Sequence, residues 1–117
     1  MPHIFRTIAQ ELREHPERWT QGCFSRTKSG NEIGPTEQNA ACWCAAGFIR
    51  KTSGMSLNLH CLLNTAIGKT VDEENEGDAM SWATENIASW NDAKNRTVED
   101  VIAAFERGAD IAEKEQS

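Results

Sequence analysis

Cys44, His60 and then Asn91 or Asp92 follow one another in the chain order of some cysteine hydrolases, with Gln21 upstream as a conceivable oxyanion donor. In such a set the thiolate attacks, the imidazole carries the proton, and the amide or carboxylate orients the ring. A nucleophilic thiol needs partial exposure and positive surroundings. Cys44 lies instead in residues 40–49, which carry no charge, so a buried, inert thiol accounts for it as well. His60 adjoins a leucine-rich stripe and reads equally as a surface or half-buried side chain.

Cys42, Cys44, His60 and Cys61 also supply the ligand types of a zinc site. If residues 42–44 are helical, side chains two apart point about 200° away from each other and cannot share an ion. The Cys-x-x-Cys spacing of structural zinc sites is missing as well. No metal and no other cofactor is expected.

The segment from Trp90 through Asn91, Asp92 and Arg96 to Thr97 puts an indole, two amides, a carboxylate and a guanidinium into one short link. As a structural corner it explains itself. Asn91 can satisfy the orphan carbonyls of a preceding helix, Asp92 can accept from loop amides or Arg96, and Thr97 can cap the next helix. As a ligand pocket, Gln21, Asn91, Asp92 and Arg96 would be the polar contacts, with the stretch from Trp19 to Gly22 forming the opposite wall.

The elements that must hold these residues are mostly helical. Ile4, Phe5, Ile8 and Leu12 form an apolar stripe over residues 3–15, closed by Pro16. An irregular hairpin is expected near 20–34, with Lys28 to Gly30 turning. Thr36 is placed to cap a helix over 36–52 whose apolar middle marks the centre of the fold. Ser56 opens the next helix, with a stripe of Leu59, Leu62, Leu63, Ala66 and Ile67 and a stop at Gly68. An acidic connection covers 69–78. Asp78 reads as the N-cap of a helix burying Ala79, Met80, Ala83, Ile87 and Trp90. Thr97 and Asp100 form a variant capping box before Val98, Val101, Ile102, Phe105 and Ala109, on a helix running to about 113. The expected architecture is mostly α: one domain over 1–117, a compact cluster of about five helices with a short irregular β-hairpin insert.

The 117 residues have a formal charge of −6, with 12 basic and 18 acidic side chains. This balance disfavours direct nucleic-acid binding, which needs clustered Lys and Arg against phosphates. No run is long and apolar enough to span a bilayer, and the start lacks a signal pattern, so a cytoplasmic location with reduced thiols is expected.

Taken together, Trp19-Thr20-Gln21-Gly22, Trp43-Cys44-Ala45-Ala46-Gly47, Trp90-Asn91-Asp92 and the Thr97-capped helix resemble a family of small bacterial and phage proteins of unknown function. The resemblance covers nearly the whole chain and departs from the family pattern at Cys42 and Ala46. It implies an origin in bacteria or their mobile elements. There, small acidic proteins often bind a host or defence component. The expected function is therefore a non-enzymatic interaction protein with a bacterial protein partner. The alternative is a small-molecule-binding or cysteine-dependent module centred on Cys44 and Asn91-Asp92.

Overall fold

In the computed structural model, which describes residues 2–70 and 76–115, five helices enclose one core. They are α1 (Ile4–Glu14), α2 (Ala45–Ser53), α3 (Leu57–Ala66), α4 (Glu76–Asn91) and α5 (Val98–Glu115). A 3-10 turn (Pro16–Arg18) follows α1, and two short strands, β1 (Ser25–Arg26) and β2 (Cys42–Trp43), pair antiparallel. The expected five-helix architecture is present. Of the acidic connection expected over 69–78, residues 71–75 lie outside the described residues.

α1 and α5 pack along most of their length, and α3 packs against both α4 and α5. Phe5, Ile8 and Leu12 are buried against Val101, Phe105 and Ala109, with the rings of Phe5 and Phe105 edge to face at 5.0 Å. Gly108 makes that approach possible, because a Cβ there would stand 2.7 Å from the Phe5 ring. Ion pairs flank this seam. Arg6 meets Asp110 and Glu113, and Arg13 meets Glu106.

Two local signals operate as their chemistry suggests. The Ser56 hydroxyl accepts from the Leu59 N–H at 3.2 Å, and Thr97 and Asp100 cap each other reciprocally, at 3.2 Å and 3.0 Å. The hairpin also forms, through a bridge between Arg26 and Glu32 and a bond from the Thr27 N–H to the Asn31 carbonyl at 2.8 Å.

Two expectations are corrected. Asp78 lies inside α4, which begins at Glu76, and so is not its N-cap. The helix expected over 36–52 begins only at Ala45, and Thr36 caps nothing there; Cys44 is the N-cap. Residues 42–43 go to the sheet instead, because β1 offers them a ladder and Thr20 donates to the Trp43 carbonyl at 3.0 Å. The uncharged run thus holds β2, the Cys44 cap and the first five residues of α2. Apolar residues run unbroken through both, so their pattern could not divide strand from helix.

Candidate functional site

Asn91, the last residue of α4, is fully buried at the junction of three segments. Its Oδ1 accepts from the Trp19 indole N–H at 2.7 Å and from the Ala45 N–H at 3.1 Å. Its Nδ2 donates to the Thr20 carbonyl at 3.0 Å and to Asp92 Oδ1 at 3.1 Å. Two donors on one atom and two acceptors on the other fix the amide's orientation. They also use all of its hydrogen-bonding capacity. The side chain at the carboxyl end of α4 therefore caps the amino end of α2, joining ends of opposite partial charge.

The neighbouring residues finish the same joint. Gln21 Nε2 donates to the carbonyls of Asn91 and Ala93 at 2.8 and 3.1 Å. Arg96 Nε donates to the Trp90 carbonyl at 2.8 Å, while its guanidinium stacks 4.0 Å from the centre of the Trp90 ring. Asp92 Oδ1 accepts from the Gly22 N–H at 2.9 Å. The last carbonyls of α4, which no helical N–H can reach, are thus served by two side chains. Gln21, Asn91, Asp92 and Arg96 do come together in space, as do the Trp19, Trp43 and Trp90 stretches. The atoms left over for a ligand are few: Gln21 Oε1 and Asp92 Oδ2 accept no hydrogen bond among the described residues.

Gly47 sets how closely the wall of this joint can pack. A Cβ at this position would lie 2.1 Å from the Phe24 carbonyl oxygen. That carbonyl accepts the Cys44 N–H at 3.0 Å, so the strand segment lies directly on the first turn of α2. No side chain larger than hydrogen fits between.

Cys44 is buried, and its Sγ accepts from the Gly47 N–H at 3.4 Å as part of the cap. Burial pushes the thiol up to about 11, against the smaller opposing pull of the Gly47 and Ala46 N–H groups. At neutral pH it is a thiol and a weak nucleophile. His60 lies elsewhere, buried on α3, with Nδ1 held 2.7 Å from the Ser56 carbonyl. A carbonyl only accepts, so Nδ1 carries the hydrogen and Nε2 presents a lone pair. Burial lowers the pKa of this imidazole, against the opposing bond to Ser56, and the Arg50 charge lowers it a little more. No hydrogen bond joins Cys44 to His60 among the described residues, and Asp92 belongs to the joint.

The zinc set is likewise dispersed over β2, the α2 cap and α3. No group of three or more His, Cys, Asp or Glu side chains placed to hold a metal occurs among the described residues. No helix among the described residues is long and apolar enough to cross a membrane.

Two features escaped the reading of the sequence. Arg50 threads inward, with Nη2 bonded to Thr84 Oγ1 at 3.0 Å and its guanidinium 4.3 Å from the Phe24 ring centre. Trp82 lies on the outer face of α4, 60% exposed. Its position off the Ala79, Ala83 and Ile87 stripe was the available signal.

A family model described as a family of unknown function (DUF6197) matches residues 1–111. No curated protein and no solved structure matches the chain.

Proposed function

The chain belongs to this family of unknown function, so its role must be read from its own chemistry, and we propose that it is a non-enzymatic interaction protein that binds a protein partner. One observation carries the reading: the polar groups best suited to chemistry are spent inside the fold. Asn91 fills its bonding capacity within the chain, Cys44 is a buried cap with a raised pKa, and His60 has no hydrogen bond to either among the described residues. What remains outside is recognition chemistry. Met55 and Trp82 stand 63% and 60% exposed on a surface of net negative charge. The proposal extends to a bacterial or phage origin and a bacterial partner, with inhibition of a host or defence component as its specific form. The resemblance in the three tryptophan stretches is the support for that extension.

The test is affinity co-purification of the tagged protein from a bacterial lysate at two salt concentrations, with mass spectrometry of what is retained. A stoichiometric protein partner is expected. Two outcomes would sink the reading: nothing specific retained, or turnover of a substrate by the purified protein that is lost in Cys44→Ser. Thiol labelling gives a cheaper check. Cys44 should react only after unfolding, and rapid labelling in the native protein would restore the thiol chemistry.

A further inference from the structure

Three of the four tryptophans have their ring or N–H engaged. Trp19 donates to Asn91. Trp43 donates to the Pro35 carbonyl at 2.9 Å and carries the Lys51 ammonium 3.8 Å from its ring centre. Trp90 lies beneath Arg96. Trp82 differs, because no hydrogen bond or ring contact engages it among the described residues, and 60% of its surface faces water.

Its neighbours on the helix are acidic. Asp78 lies one turn before Trp82 and Glu85 one turn after, on the same face, and both are exposed. α4 contains no Lys or Arg. Elsewhere several carboxylates are neutralised: Glu11 sits between Arg18 and Lys51, Arg6 lies against Asp110 and Glu113, and Arg13 meets Glu106. Neither Asp78 nor Glu85 belongs to an ion pair among the described residues. The outer face of α4 therefore presents an open indole between two uncompensated carboxylates.

We propose that this face of α4 is a docking surface for a basic segment of a partner protein, with an Arg or Lys side chain on the Trp82 ring and further cations paired to Asp78 and Glu85. The inference rests on the reading of the chain as a protein-binding module and supplies its surface and partner chemistry. An open indole alone would suit any apolar partner; the flanking carboxylates select a cationic one. The chain makes the same stack internally, at Trp43 and at Trp90. A second copy is the poorer occupant, since the chain's charge of −6 and the two acidic faces would oppose each other. Nucleic acid meets the same repulsion.

The probe is a fluorescein-labelled peptide alternating Arg and Ser, with a citrulline-for-Arg analogue of the same shape but no charge. Binding is read by anisotropy at low and physiological salt. The wild-type chain should bind the arginine peptide and not the citrulline one. Trp82→Ala and the Asp78→Asn/Glu85→Gln pair should each weaken binding about tenfold, and Trp82→Phe less. The charge-matched Glu32→Gln/Glu37→Gln pair, at exposed loop positions, should change it by no more than about twofold. Far-UV circular dichroism confirms that each variant folds. Absence of binding to the arginine peptide, or equal binding by wild type and Trp82→Ala, overturns the proposal. So does self-association that Trp82→Ala abolishes, which would make a second copy the occupant. A lysate partner that Trp82→Ala still retains would leave the interaction reading standing and remove only this surface.

Discussion

The joint around Asn91 and the outer face of α4 use similar materials to opposite ends. Each holds a tryptophan beside short polar side chains, and both lie on one helix. At the joint the indole N–H of Trp19, the amide of Asn91 and the carboxylate of Asp92 satisfy one another. Around Trp82 an indole and two carboxylates face water. A buried polar group left without a partner costs more than its bond ever contributed, so the joint is a place where substitution damages the fold. An exposed indole owes nothing to the fold and can be given to a partner. Residue type alone does not separate structure from recognition; burial and bond accounting do.

Four substitutions probe that contrast. Asn91→Asp should have the largest effect, because it keeps the shape and the acceptor but turns the Nδ2 donor into an oxygen facing Thr20 O and Asp92 Oδ1. About 4 kcal/mol of stability should be lost in urea denaturation; a loss under about 1 kcal/mol would mean the joint is not the closed network described. Gly47→Ala comes next. Its Cβ collides with backbone rather than with a movable side chain, and a cost of roughly 2 to 3 kcal/mol is expected from the same urea denaturation. Thr97→Ala removes one half of the reciprocal cap, for about 1 kcal/mol. Trp82→Ala should change stability by less than ~0.5 kcal/mol. A larger loss would show that the indole packs, and the contrast between the two regions would collapse.

The parts of this fold written in local signals were legible. The stripe of α1, the Ser56 cap and the reciprocal pair of Thr97 and Asp100 each depend on residues three or four apart. The start of α2 was not legible, for a physical reason. Its first turn is capped by the Cys44 sulfur, and the Ala45 N–H is taken by an amide 46 residues further along the chain. No window of the sequence contains both. The polar residues of the candidate site were found as a set, through their mixture of amides, carboxylate and guanidinium in a short link. Their bonding was not foreseeable, since Gln21 and Asn91 meet across 70 residues. Trp82 was overlooked because the apolar stripe of α4 was followed inward and its opposite face was not.

The seam between the first helix and the last has a bearing on how the chain is made. Arg6 finds Glu113 over a separation of 107 residues, and Phe5, Ile8 and Leu12 are covered by α5. On a ribosome adding about 5 to 20 residues per second, α1 must wait on the order of 5 to 20 s for the helix that covers it. Throughout that interval its apolar stripe lies open to chaperones or to neighbouring nascent chains. Completion of the native state waits on the synthesis of α5, and a message truncated before α5 would yield a product whose α1 stripe has no cover.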